Sequence, residues 1–376
     1  MRIAIVGAGP AGLYLSYLIK RRSRVADIAV FEQNPADATF GFGVVFSDRA
    51  LEFLRDDDQA TYAAIVPHME SWSDITLVHC GERIVIDGVG FAAIGRLRLL
   101  QLLQARARSV GIEPVYRRTV KDLDELDDFD LVVAADGVNS LVRRSHARDF
   151  GASVNYLSNR FAWFGTAKRF ETLTQTFIKG EFGHFNAHHY RYERGLSTFI
   201  VEVDAATFER AGFTTMGEAD TRALCEFVFA DALDGHPLIS NNSIWRQFPL
   251  VHNARWSHDN RVLLGDALHT AHFSIGSGTR LAMEDAIALD KALAAHPRDL
   301  KTALSAYETA RRPILEKLVA GANGSAQWYE HFAEQMKLAP VDFAMSYITR
   351  SGRIDLERLR KLSPQFVTRY EHEHTV

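Results

Sequence analysis

The chain has 376 residues, 47% apolar and 24% charged, enough for a large buried core and, on length, two or so domains. Its formal net charge of −4 excludes a global pull toward nucleic acid or an anionic membrane, so an anionic ligand has to be met by local basic groups or backbone N–H. Two cysteines, Cys80 and Cys225, exclude a disulfide framework, and no run of about eighteen apolar residues offers a membrane span.

The two thiols read as packed and unpaired, as in a reducing cytoplasm. "MRIAIVGAG" is too short an apolar run for a secretory signal and ends in a turn. In chain order, "RIAIVG" predicts a buried parallel strand and "AGLYLSYLIKRR" a helix. "ADIAVFE" predicts a second strand, followed by the Gly/Phe loop "TFGFGVVFS". "LRLLQLLQARARSVG" reads as an amphipathic helix closed by glycine, and "DLVVAADG" as a third buried strand. From about 153 to 251 the texture turns to aromatic strands: "RFAWFGTAKRF", "TFIKGEFGHFNAHHYRYE" and "LSTFIVEVD", an antiparallel sheet by their alternation and turns. Helical segments follow near 217–233, and "NRVLLGDALH" returns to the buried-strand pattern. The remainder predicts three helices, "GTRLAMEDAIALDKALAAH", "LKTALSAYETARRPILEKLVAGA" and "SAQWYEHFAEQM", with Pro313 kinking or starting one of them. The expected organisation is an α/β body over 1–152 and 252–376, interrupted by a β-rich domain over 153–251.

Gly7, Gly9 and Gly12 form G-x-G-x-x-G between the first strand and its helix. Gly7 permits the turn, Gly9 lets a pyrophosphate approach the backbone, and Gly12 lets helix and strand pack closely. The helix N-terminus adds unpaired N–H groups and partial positive charge. Glu32 ends the second strand, where a carboxylate can accept from both hydroxyls of an adenosine ribose and disfavours a 2′-phosphate. Two further strand ends carry acids: Asp136-Gly137, with Arg143 six residues beyond the glycine, and Gly265-Asp266, followed by a glycine-rich helix entry through Gly276, Ser277 and Gly278. A strand-tip Asp can accept from a ribityl hydroxyl. A helix starting near Gly278 can aim N–H groups at the pyrimidine edge of a flavin, which carries negative charge when reduced. An NAD site needs no such second and third contact, so FAD is the expected dinucleotide.

These three motifs in this order resemble the FAD-dependent aromatic hydroxylases, the single-component group A flavoprotein monooxygenases, over nearly the whole chain. The resemblance implies a p-hydroxybenzoate-hydroxylase-like fold: a Rossmann-like FAD-binding body, an inserted antiparallel sheet for substrate, and C-terminal helices. "DATFGFGVVFSD", "NRFAWFGT", "AHHYRYERGLSTFIVE", "SIWRQFPLVHNARWSHDN" and "GDALHTAHFSIGSGTRLAMEDAIAL" are closest to the branch whose members hydroxylate salicylyl-CoA. Members acting on tryptophan or 2-aminobenzoyl-CoA are similar over the same stretches. The family's arginine at the start of R-x-x-L-x-x-x-L falls on Arg96, before Leu99 and Leu103, with Arg98 the competing choice. The expected FAD contacts are Gly7, Gly9, Ala11, Gly12, Glu32, Gln33, Arg96, Asp136, Asp266, Gly276, Gly278 and Thr279. Two positions depart from the family: Phe273 replaces a usual Pro, and Arg280 a usual Asn. Arg280 either adds positive charge at the flavin or points outward to Glu284 or Asp285.

The resemblance also implies the reaction. NADH or NADPH, docking transiently because no second strand–GxGxxG–helix is present, reduces the flavin. Oxygen then gives a C4a-hydroperoxide that hydroxylates an activated ring, most simply salicylyl-CoA to gentisyl-CoA. A small aromatic acyl-CoA and O2 are the expected partners, with neither nucleic acid nor membrane, and a homodimer is compatible. Lys168, Arg169, Lys179, Arg191 and Arg49 are candidate rims for a CoA tail. Phe42 and Val44, in a loop with two glycines, are expected at a mobile-flavin or access loop; Phe273 is expected beside the ring. Trp163, Phe164, Phe185 and Tyr190 either line an aromatic pocket or fill an ordinary sheet core. His188 and His189 alternate, so at most one faces a pocket. His188 and His272 are the candidate bases for a phenol proton, since imidazole titrates near neutrality; His269 reads as structural. No His spacing fits a metal motif, and "HEH" at 372–374 reads as a solvated tail. The alternatives are a flavin reductase without oxygen insertion, or a non-catalytic FAD-fold binding module, which predicts eroded cofactor motifs.

Overall fold

Ile3, Ala4 and Ile5 have no exposed surface, as a strand covered on both faces requires. In the computed structural model, which describes residues 1–39, 41–47 and 51–374, the strand Arg2–Val6 lies inside a five-stranded sheet. The order is Ser257–His258, Arg261–Leu263, Leu131–Ala134, Arg2–Val6, Asp27–Phe31. All neighbours are parallel except the edge hairpin 257–263. Pro10 opens the helix Pro10–Arg22, where its missing N–H costs nothing. That helix packs against Gly278–Ala295, so two helices begin beside the same sheet end.

The second large element is a seven-stranded sheet in the order Leu238–Ile239, Arg160–Thr166, Leu196–Val203, Gly183–Glu193, Leu173–Gly180, Ile75–His79, Glu82–Ile86. Only the pairing of Leu173–Gly180 with Ile75–His79 is parallel. Two of these strands precede residue 153, so this sheet is not confined to 153–251. They form a hairpin whose turn holds Cys80 (φ 51°) and Gly81 (φ 74°). Cys80 is therefore exposed rather than packed, because a two-residue turn leaves its side chain outside; Cys225 is buried. The chain passes between the two sheets along Ala152–Tyr156 and returns along Pro249–Asn253, and these strands pair with each other. A small antiparallel sheet, Gly43–Ser47, Phe91–Gly95 and Glu70–Trp72, stands between the sheets.

The helix Leu300–Glu330 runs unbroken through Pro313 and replaces the last two predicted helices. Its Gly321 is a contact point rather than a stop: an added Cβ would lie 2.8 Å from Arg353 Cδ. Among the described residues no helix is long and apolar enough to cross a membrane.

Candidate active site

The glycine-rich turn fulfils three separate steric requirements. Gly7 sits at φ +103°, and a Cβ there would lie 2.2 Å from the Ala135 carbonyl oxygen. At Gly12 a Cβ would lie 2.0 Å from the Gly7 oxygen, so helix and strand touch through bare backbone. At Gly9 nothing lies within 4 Å, and Gly9 and Ala11 line a cavity of about 750 Å³. Glu32 is oriented by backbone: it accepts from Ala8 N–H at 2.9 Å and Asn34 N–H at 2.8 Å. It thereby ties the end of the second strand to the turn. Gln33, beside it, is exposed and lies outside the cavity lining.

Asp266 and Arg96 occupy the cavity interior from opposite sequence ends. Asp266 opens its exposed surface into the cavity, and desolvation there raises its pKa against the pull of His269 and Arg96. The Arg96 guanidinium makes no hydrogen bond or salt bridge to any described residue. Burial depresses its pKa, with Asp266 and Tyr190 opposing. Arg98 is exposed beside His68 and stays outside the lining. Gly276, at φ +60°, turns the chain into the helix Gly278–Ala295. The first intrahelical bond is Leu281 N–H to Ser277 C=O, so the N–H groups of Gly278 and Thr279, both on the cavity wall, precede it. Arg280 turns away and pairs with Glu284 at 2.7 Å. Behind the loop, His269 Nε2 meets Asp285 at 2.7 Å, and Arg311 holds the other oxygen at 2.8 Å, the structural role expected of His269.

Asp136 departs from expectation. Its Oδ2 accepts from Leu141 N–H at 2.7 Å and it lies behind the lining that Gly137, Val138 and Asn139 form. That N–H is the first of the short helix Leu141–Ser145, whose N-cap is Ser140. Its Oδ1 is buried without a partner, and desolvation raises its pKa. Arg143 joins this motif to the next, donating to the carbonyls of Val138 and, at 2.9 Å, Ala267.

One face of the large sheet forms the cavity floor. Gln175, His188 and Ile200 sit in register on adjacent strands, with Trp163 opposite Ile200, and all four line the cavity with Tyr190 and Val44. Phe273 covers them, its ring 5.2 Å from His188. Phe185 is a correction, and Phe164 fills the sheet core, one of its two readings. They lie on the other face, in the core with Phe213 and Phe229, because strand alternation separates Phe185 from His188 and Tyr190. His189 faces that side too, bonded to Thr176 at 2.8 Å and stacked on Phe199. Phe42 also misses the cavity: its ring fills the space left by Gly165, and its carbonyl accepts from Arg96 N–H at 2.7 Å. Arg191 is no rim residue, since Glu70 and three backbone carbonyls engage its guanidinium. Lys168 pairs with Asp234, and Arg49 lies outside the described residues.

His188 has both nitrogens directed at protein. Tyr329 O–H donates to Gln175 Oε1 at 3.2 Å, and Gln175 Nε2 donates to His188 Nδ1 at 2.8 Å. The proton is thereby placed on Nε2, which lies 3.6 Å from Glu202 Oε2, beyond hydrogen-bond reach. Burial lowers the His188 pKa to about 3, with Arg350 adding to the effect. His272 lies behind the wall, bonded to Ser274 Oγ at 2.8 Å. Burial, opposed by Glu202, brings its pKa to about 4. Neither imidazole therefore turns a free nitrogen lone pair to the cavity as the sequence reading expected of a base. Glu202 is buried against both, and desolvation raises its pKa. Gln175, Glu202 and, at the mouth, Tyr156 and Arg246 escaped the sequence reading. The register Gln175–His188 and the even spacing of Ile200 and Glu202 carry that signal, but only once the strands are aligned.

FAD fits this interior on three observations: the bare surface at Gly9, the unpartnered Arg96 cation, and the free N–H groups at Gly278. Comparison with known proteins agrees. Residues 98–322 match the family described as FAD binding domain. The chain is 45% identical to salicyloyl-CoA 5-hydroxylase of Streptomyces sp over 93% of its own length and 70% of the relative's. It is 36% identical to 3-hydroxy-4-methyl-anthranilyl-[aryl-carrier protein] 5-monooxygenase of Streptosporangium sibiricum, over 94% and 95%. Pseudomonas aeruginosa PqsL shares the fold at TM-score 0.70 and 20% identity, covering 93% of this chain and all of that one. With intact dinucleotide motifs around one cavity and relatives of this kind along nearly its whole length, the chain belongs to the FAD-dependent aromatic monooxygenases and is an aromatic hydroxylase with the p-hydroxybenzoate-hydroxylase-like fold.

Proposed function

We propose that the enzyme hydroxylates salicylyl-CoA at C5, giving gentisyl-CoA, with NADH or NADPH as a transient reductant. The observation that carries this reading is the single cavity that joins the Gly9, Arg96, Asp266 and Gly278 side to an aromatic floor, together with 45% identity to a salicyloyl-CoA hydroxylase. FAD, when bound and reduced, supplies electrons to O2 and makes one oxygen atom electrophilic. Gly7, Gly9, Ala11, Gly12 and Glu32 would hold its adenosine and pyrophosphate part, and Arg96 its phosphates. Asp266, Gly276, Gly278 and Thr279 would hold its ribityl chain and ring edge.

The remaining tasks fall to the floor and cover. Trp163, Tyr190, Val44 and Phe273 exclude water and confine a flat ring. The carbon para to a salicylyl hydroxyl is electron-rich, so the wall has only to hold that carbon toward the oxygen. The Tyr329–Gln175–His188 chain supports the developing phenolate through the Gln175 amide, while His188 anchors that amide. His188→Ala is expected to retain FAD and lose turnover, read as flavin content against product formation; full turnover in this variant removes the chain from the reaction.

The mouth supports a thioester tail. Arg246 is exposed there, beside the exposed Tyr156 and Ile244, and its guanidinium pairs with no described residue. A CoA thioester and an aryl-carrier protein both present the acyl group on a phosphopantetheine arm, so the second relative favours the same arm on a different carrier. Purified enzyme given salicylyl-CoA, NADH and 18O2 is expected to yield singly labelled gentisyl-CoA. Turnover of 2-aminobenzoyl-CoA or tryptophan in place of salicylyl-CoA overturns the substrate, and anaerobic reduction of the acyl-CoA points to a reductase.

A further inference from the structure

His146, Asp149 and His258 meet on the surface of the FAD-binding body, away from the cavity. His146 Nδ1 lies 3.3 Å and His258 Nε2 3.6 Å from Asp149 Oδ2. One ligand atom from each residue lies within 4.8 Å of the other two. A tetrahedral zinc site with bonds of roughly 2.0–2.1 Å needs neighbouring donors about 3.3–3.4 Å apart, so a small contraction would close this one. Asp259 brings a second carboxylate to 3.3 Å from the same His258 nitrogen. Two imidazoles with one carboxylate suit a zinc-type dication; Mg²⁺ and Ca²⁺ prefer all-oxygen sets. Both imidazoles are held from behind by the fully buried Phe150 ring, in edge contacts at 6.5 and 6.3 Å.

The position gives the site a task. His146 and Asp149 stand just before the strand Ala152–Tyr156, which leaves for the large sheet. His258 stands just after Pro249–Asn253, which returns from it. The backbones already meet here, Arg255 N–H donating to Phe150 C=O at 2.9 Å and Ala254 N–H to Gly151 C=O at 3.3 Å. Against a cation stands Arg255, whose guanidinium donates to the carbonyls of Asp149 and Arg148. The site is accordingly weaker than a closed thiolate centre.

We propose that His146, Asp149 and His258 bind a zinc-type dication that clasps the outgoing and returning chains at the foot of the inter-sheet ribbon. A plain His–Asp ion pair has the same distances but binds no metal. The test uses the full FAD-loaded chain, freed of metal by a chelator and titrated with Zn²⁺ by calorimetry. One saturable equivalent is expected, weakened about tenfold or more in His146→Ala and in His258→Ala. Zn²⁺ should raise the thermal midpoint of the parent chain but not of either variant. Absence of saturable binding, or equal binding by the parent and the double variant, overturns the site. Binding without a midpoint shift overturns the clasp. Should an alanine variant lose FAD or fold, Asp149→Asn carries the same comparison.

Discussion

Three glycines five residues apart end to end do different work, and single methyl groups separate them. A methyl at Gly12 would lie 2.0 Å from a backbone oxygen that cannot move aside, whereas one at Gly9 would enter empty cavity. Gly12→Ala is therefore expected to lower stability by about 1–3 kcal/mol or more as overpacking. Gly9→Ala should unfold at the parent's denaturant midpoint when both lack FAD, yet retain FAD poorly. Equal FAD affinity in Gly9→Ala and the parent would mean that the pyrophosphate lies elsewhere. Arg96 offers a second contrast. A half-buried cation with no hydrogen-bond partner, if it meets a dianionic pyrophosphate, is worth about 1.5–3 kcal/mol, or roughly 10–150-fold in affinity. Arg96→Met should show that loss in FAD titration and Arg98→Ala should not; matched losses would sink the assignment.

Among the elements, the loop before Gly43–Ser47 shows how the small sheet is strapped to the large one. Phe42 fills the place of a side chain at Gly165, Gly41 faces the Trp163 ring, and Asn241 Nδ2 donates to the Gly41 carbonyl at 3.0 Å. A Cβ at Gly165 would lie 2.5 Å from Phe42 Cε1. Gly165→Ala should cost about 1–3 kcal/mol in urea unfolding, and Phe42→Ala in the same chain should return part of it. Strictly additive effects would show that ring and sheet are not coupled. The elements that were legible in the sequence are those specified by short-range pattern. "VGAGPAG" carries strand, turn and helix entry within a few residues, "FEQ" and "GDALH" each mark a strand end, and the structure gathers the three strands into one sheet, with Leu131–Ala134 between the first and the third. The hairpin 75–86 was missed although "ITLVHCGERIVI" alternates around a Cys-Gly turn. Its parallel pairing to Leu173–Gly180 is set by a distant strand rather than by its own residues. Phe185 and Asp136 were misplaced for a related reason. Residue type marks both as site-like, but strand parity decides the first, and the first N–H of the helix Leu141–Ser145 engages the second.

On the scale of the whole molecule, enclosing a cavity between two sheets forces titratable groups out of water, and acid should expose that cost. His188, His189 and His272 are buried and their pKa values fall to about 3, about 3 and about 4, chiefly by desolvation. Unfolded, they titrate near 6.5, so between roughly pH 4 and 6.5 the unfolded chain binds the extra protons. Stability is then full above that range and is lost as pH falls, by up to about 1.4 kcal/mol per pH unit for each group. Glu202, Asp136 and Asp266 act with the opposite sign. Desolvation raises their folded pKa values, so the folded chain holds the extra protons and stability declines as pH rises past the ordinary carboxylate range. The two sets therefore oppose each other, the imidazoles steepening the acid limb of the stability profile and the carboxyls flattening it. His189 isolates the imidazole part, because it faces the outer core, away from both the cavity and the buried acids. In urea unfolding across pH at saturating FAD, His189→Gln should make the acid limb shallower and leave the profile above about pH 7 unchanged. An acid limb as steep as the parent's would show that His189 is already solvated, and that the outer face of the large sheet is not the dry layer its packing against Phe199 and Phe170 describes.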